Sequence, residues 1–199
     1  MKVIGLCGGS GSGKGTVSRF FSKYGVVSID TDAVYHDITS CSSPCVEELS
    51  MRFGADILTH TGGLDRRALA EIVFADESRE LLKELNEITH KHILKETVRL
   101  IELGRSAGAP AVIIDAPLLF ESGFSELCDV IVAVVADSSV RLARIIARDG
   151  ITADMADKRI SSQTPDEKLV ELSDYVIRNE GSLEVVELQV AEIVNLILK

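Results

Sequence analysis

The 199 residues carry 31 acidic against 21 basic side chains, a formal net charge of -10. General binding to nucleic acid or an anionic membrane needs clustered Lys and Arg, so composition argues against both partners and leaves any basic site local. A chain of this length suits one domain with elaborations and buries most of its unfolded surface without a disulfide or metal staple. Cys7, Cys41, Cys45 and Cys128 are too irregular for a secreted framework and read as free thiols in a reducing compartment. The apolar run Val3 to Cys7 is too short for a signal peptide, and no segment approaches the about eighteen apolar residues of a membrane span. The expectation is a cytoplasmic protein, monomer or small homo-oligomer.

In chain order, "KVIGLC" is a short apolar run that ends in glycines. "KGTVSRFFSKYG" follows with Val17, Phe20, Phe21 and Tyr24 at helical spacing before Gly25. Strand, loop and helix are predicted. "VVSID" reads as a second strand, Ala111 to Asp115 as a third, Val130 to Val135 as a fourth and Tyr175 to Asn179 as a fifth. Continuous β-branched runs joined by helical patterns call for a parallel sheet buried on both faces, with right-handed crossovers. The interval between the second and third strands is helical in "PCVEELSMRFG", "DRRALAEIVF" and the stretch from Glu77 to Gly104, with Asp65 and Asp76 as caps. A second helical stretch, Ser138 to Glu171, separates the last two strands. One cooperative domain is expected, its core at 1–32, 109–137 and 173–199, with a helical insertion at about 33–108 and a lid at about 138–172.

Gly8, Gly13 and Lys14 occupy the fixed positions of a phosphate loop, G-x-x-x-x-G-K-[ST], but Gly15 stands where the hydroxyl belongs. Glycines at 8, 9, 11 and 13 let successive amides turn inward, and the following helix adds its positive end. Gly9, Ser10, Gly11, Ser12, Gly13, Lys14, Gly15 and Thr16 are therefore the expected nucleotide contacts, with the Lys14 ammonium on the outer phosphates. Gly15 has no hydroxyl to offer magnesium, which leaves Thr16 as the nearest one, expected to bond a phosphate. The ion is then held by phosphate oxygens, water and a carboxylate. Asp30 and Asp32 end the second strand, at the sheet edge where ligands of parallel sheets bind. Two readings fit Asp32: a base that takes the proton of an attacking hydroxyl, or the cap of a helix beginning at Ala33.

"GLCGGSGSGKGT", "VVSIDTDAVYH", "RFGADIL", "GGLDRRALAEIVFAD", "LNEITHKHI", "IIDAPLLFESGF" and "RISSQTPDEK" together resemble the dephospho-CoA kinase family. The likeness runs through the whole chain. It implies a phosphate-loop kinase fold, a five-stranded parallel sheet flanked by helices, with a helical acceptor insertion and a lid. It also implies ATP and Mg2+ as cofactors, dephospho-CoA as the small-molecule substrate and phosphorylation of its ribose 3'-hydroxyl. By resemblance Asp32 is the base, Asp30 a supporting acid and Asp115 the acid near magnesium, with Thr16 on the same side. Pro117, Leu118, Phe120 and Glu121 line the acceptor side, although Leu118, Leu119 and Phe120 also read as plain core. The chain departs from the family at Gly15, usually Ser, and at Lys91, often Pro.

Arg141, Arg144 and Arg148 fall at i, i+3 and i+7 on one helical face, with no acid among residues 139–148. Such a row is usually solvated; the resemblance assigns it to a lid that stabilises charge on the moving phosphoryl group, Arg144 and Arg148 foremost, with Arg159 next. His90 is either an acceptor contact, by resemblance, or a structural histidine. His90 and His92 point to different sides of a helix, unlike a zinc pair. Two other functions remain: a nucleoside monophosphate kinase, which would need phosphate-grasping residues such as Arg66 and Arg67, and a guanine-nucleotide switch, whose N/T-K-x-D motif is missing.

Overall fold

The computed structural model describes residues 1–198. They form two compact units, one comprising Met1–Ile29 and the chain from Ile101 onward, the other Asp30–Leu100.

Five strands, β1 (Lys2–Cys7), β2 (Val27–Asp30), β3 (Ala111–Asp115), β4 (Val130–Val135) and β5 (Tyr175–Arg178), make one sheet in the order β2-β3-β1-β4-β5. β1 is central, parallel to β3 with Lys2 opposite Ala111 and to β4 with Ile4 opposite Val130; β4 runs parallel to β5. Continuous apolar sequence is what a strand covered on both faces requires, and five of the six β1 residues are buried. Helix α1 (Lys14–Ser22) contributes Val17 and Phe21 to the main core, and α9 (Leu183–Ile197) contributes Val186, Val190, Ile193 and Val194. They close over Ile4, Leu6, Ile113, Val132, Val134 and Ile177, each fully buried side chain stabilising the fold by roughly 1.5–3 kcal/mol.

The helical stretch after β4 is three helices: α6 (Ser138–Asp149), α7 (Ala153–Ser161) and α8 (Asp166–Glu171). Gly150, at φ 65, ends α6 in the left-handed conformation and donates its N–H to Ile146. The Thr152 hydroxyl then caps α7 by accepting from Met155, and Pro165 opens α8.

The second unit holds α2 (Thr31–Ser40), α3 (Pro44–Phe53), α4 (Arg66–Phe74) and much of α5 (Glu80–Ser106). Cys45, Val46, Leu49, Ile57, Leu64, Leu69 and Val73 form its own core. Asp65 caps α4 as expected, accepting from Arg67 and Ala68 at 3.0 Å each. Asp76 stands further from its helix than a cap: α5 begins only at Glu80, after Arg79 at φ 61, and Asp76 reaches forward to the amide of Leu81 at 2.9 Å. α5 continues through Lys91, whose ordinary backbone N–H keeps the helix unbroken where a proline would interrupt it.

Candidate active site

The loop that joins β1 to α1 lies at the carboxyl end of the central strand, where parallel sheets bind ligands. No acid stands in the first turn of α1, so its positive end is unopposed. Lys14 folds back across the loop. Its Nζ donates to the Gly8 carbonyl at 3.1 Å and lies 3.7 Å from Asp115 Oδ1, at the end of β3. Both side chains are less than one-fifth exposed, which strengthens the pairing relative to open water.

Four glycines of the loop have no room for a side chain: a Cβ at Gly8 would lie 2.3 Å from the Val134 carbonyl oxygen and one at Gly11 2.6 Å from that of Arg141. A Cβ at Gly9 would lie 2.1 Å from Arg141 Nη2; one at Gly13, which also has φ 96, would lie 2.0 Å from Asn179 Nδ2. Gly15 is different, because a Cβ there meets nothing within 4 Å. Its missing hydroxyl is therefore a choice of residue rather than a demand of space. Thr16, the nearest hydroxyl, accepts from Arg19 Nη2 at 3.2 Å.

The arginine row of α6 is divided by its surroundings. Arg141 is buried and pairs with Asp166 at 2.8 Å. Arg144 donates Nη1 to the carbonyls of Gly11 and Ser12, at 3.2 and 3.4 Å, and Nη2 to that of Asn179 at 3.0 Å. Arg148 is exposed and pairs with Asp149, which also accepts from Arg159. Hydrogen bonding from Arg148 and then Arg159 overcomes desolvation and lowers the Asp149 carboxyl to about 2. Equal spacing on a helix thus hides three environments: Arg148 meets the acid next to it in sequence, whereas the acid of Arg141 and the carbonyls of Arg144 lie far away along the chain.

On the β3 side, Pro117, Leu118 and Glu121 line a cavity of about 280 Å³ with Gly8 and Gly9, and Thr164 donates to Glu121 at 2.7 Å. Leu119 is fully in the core while Leu118 is half exposed and Phe120 half buried, so the "PLLFE" run divides between packing and cavity wall.

Within the second unit, Asp30 is the cap of α2: its Oδ1 accepts from the amides of Asp32 and Ala33 at 2.9 and 3.3 Å. The helix starts at Thr31, two residues earlier than the cap reading of Asp32 requires, and Asp32 sits exposed in the first turn. His90 is half buried, and burial pulls its pKa below the usual value. His92 bonds Glu48 at 2.8 Å, and Lys91 reaches the same carboxylate at 2.6 Å. Ile38, Pro44, Cys45, His92, Lys95 and Arg99 border a cavity of about 420 Å³. Arg66 is committed to His36 Nδ1 at 2.8 Å, to Thr39 at 3.1 Å and to the Tyr35 ring, and Arg67 to Glu71. The contacts of Asn179 with Ser12, of Gln163 with Ser10 and of Arg66 with His36 and Thr39 are not legible in the sequence. Each is a long-range side-chain contact with no periodic signal.

Residues 2–184 match the family model of dephospho-CoA kinase. The chain belongs to the dephospho-CoA kinase family. A dephospho-CoA kinase of Carboxydothermus hydrogenoformans is 41% identical over 92% of this chain and 88% of its own length. A crystal structure of a Thermus thermophilus protein superposes with a TM-score of 0.79 at 32% identity, covering 98% of this chain and 96% of that one. The dephospho-CoA kinase of Campylobacter jejuni shares the fold with a TM-score of 0.71 at 24% identity, over 97% and 95% of the two chains. The fold is that of the phosphate-loop kinases, and ATP use follows from membership of the family.

Proposed function

We propose that the protein transfers the γ-phosphoryl group of ATP to the ribose 3'-hydroxyl of dephospho-CoA, giving coenzyme A and ADP in the last step of coenzyme A synthesis. Family membership over residues 2–184 carries this reading. The Lys14 ammonium beside Asp115, at the mouth of an anion-binding loop, supports it chemically.

The new bond joins the 3'-oxygen to the γ-phosphorus as the bond to the β,γ-bridging oxygen breaks; the hydroxyl proton goes to a carboxylate. Asp32 is that base, since Asp30 is already the helix cap. The phosphate loop from Gly9 to Thr16 holds the nucleotide's phosphates through amides other than that of Ser10, which Gln163 takes, and Lys14 neutralises charge that moves onto the leaving oxygen. Arg144 holds the loop carbonyls of Gly11 and Ser12 by donating to them, and exposed Arg148 is the arginine that stabilises the moving phosphoryl group. Pro117, Leu118, Phe120 and Glu121 serve the acceptor, and His90 contributes from the helical insertion.

Magnesium, when bound, screens the phosphate charge. Its donor set fits sparsely: Asp115 supplies a carboxylate and Thr16 a hydroxyl, the open space at Gly15 leaves room, and the nucleotide's own oxygens complete the set. The bonds of Arg66 to His36 and Thr39 and its stacking on the Tyr35 ring, all within its own unit, favour dephospho-CoA over a nucleoside monophosphate.

The decisive assay supplies ATP and magnesium with dephospho-CoA, AMP, CMP or shikimate in parallel. ADP release with dephospho-CoA alone, and coenzyme A as product, is expected; equal turnover with AMP or CMP overturns the acceptor assignment.

A further inference from the structure

Ser10 lies third in the phosphate loop, and each of its polar groups has a partner from far along the chain. Its N–H donates to Gln163 Oε1 at 2.9 Å, and its hydroxyl accepts from Gln163 Nε2 at 3.0 Å. Its carbonyl accepts from Arg141 Nε at 2.9 Å. The two partners are themselves joined, Arg141 Nη2 donating to Gln163 Oε1 at 3.1 Å, and Arg141 is fixed by Asp166. The amide orientation is the one that satisfies every member, because Oε1 faces two donors and only Nε2 remains for the hydroxyl. Gln163 lies in the turn between α7 and α8, half buried, and lines both the 280 Å³ cavity beside Gly8 and Gly9 and a second of about 590 Å³ beside Asp137 and Arg178.

We propose that Gln163 is a positioning residue for ATP, holding the phosphate loop through Ser10 in its binding shape before the nucleotide arrives. The physical need is specific. Gly8, Gly9, Gly11 and Gly13 give the loop more backbone freedom than other residues would, and that freedom is lost when phosphates bind. A clasp that orders the loop in advance removes part of this cost and so raises affinity without touching the ligand. A neutral carboxamide suits the task because it accepts and donates at once. A carboxylate in its place would keep the bonds from Ser10 N–H and Arg141 but lose the donor and set a negative charge beside the anion site.

The inference rests on ATP use and is independent of which acceptor the enzyme takes. Accordingly the primary test is equilibrium titration of the full chain with ATP, without acceptor. Gln163→Ala is expected to raise the ATP Kd about tenfold, since both bonds to Ser10 are lost and part of the loop's ordering cost returns to the binding step. Gln163→Glu keeps the Arg141 anchor, so it should retain the parent Tm and still bind ATP about tenfold more weakly. A merely structural residue would not separate those two readouts. In a double-mutant cycle, Ser10→Ala should add little in the Gln163→Ala background, because the contact is already gone. Unchanged ATP affinity in Gln163→Glu, or full additivity in the cycle, overturns the proposal. If the parent binds ATP but leaves dephospho-CoA unphosphorylated, the acceptor assignment fails and this inference stands.

Discussion

Lys14 Nζ lies 3.7 Å from Asp115 Oδ1 and 3.1 Å from the carbonyl of Gly8, so one ammonium joins the carboxyl ends of two adjacent strands. Lys14→Met removes the charge while keeping most of the side chain's bulk. Turnover should fall on the order of 10²–10³, the usual consequence of losing one group that stabilises transition-state charge. Steady-state kinetics measure the loss, and an unchanged far-UV circular dichroism spectrum ensures that it is not unfolding. A loss under about threefold would remove Lys14 from the chemistry.

The two acids of "DTD" should separate by assay. Asp30 holds two amides of α2, so Asp30→Ala should cost about 1 kcal/mol in urea denaturation. Asp32→Asn keeps the size of the side chain and abolishes the base, so kcat should drop by roughly 10²–10⁴ with little change in stability. Stability loss in Asp32→Asn with near-normal kcat would reverse the two roles.

Glycine is required at 13 and optional at 15. Gly13→Ala places a methyl into Asn179 at φ 96, so ATP binding should collapse, with a left-handed penalty of about 1–2 kcal/mol before the clash is counted. Gly15→Ala meets open space inside α1 and should stabilise the fold by about 0.4–1 kcal/mol through the unfolded state. Thermal melts and ATP titration of the pair decide the matter, each variant serving as control for the other.

Arg148 and Asp149 give a pH prediction. The Asp149 carboxyl is lowered from 3.8 to about 2, with Arg148 the leading cause. A depressed folded-state pKa adds stability above the unfolded value, and that contribution disappears as pH falls from near 3.8 through about 2. Carboxyl-carbon NMR should find the Asp149 midpoint near 2 and see it rise in Arg148→Ala, with Arg159 retaining part of the shift. The same variant should lower turnover far more than ATP affinity; equal turnover would take Arg148 out of the catalytic step.

Some features of this molecule follow from local rules alone. The apolar runs of β1, β3 and β4 specify buried parallel strands, because a strand covered on both faces has no use for alternation. "GGSGSGK" specifies an anion loop, because only glycines permit its turns ahead of a helix. Asp65 before "RRALAEIVF" specifies a cap, a contact confined to three residues. The divided fate of Arg141, Arg144 and Arg148 could not be read this way. Helical spacing states which residues share a face, whereas Asp166, Asn179 and the loop carbonyls that separate them arrive through chain crossovers. The clasp of Gln163 on Ser10 spans 153 residues, and Asp30 rather than Asp32 is the cap because α2 begins at Thr31. Sequence by itself determined the sheet, the phosphate loop and the family, all encoded in short-range pattern; tertiary structure alone decided which polar side chains meet, because hydrogen-bond partners are chosen by proximity in space.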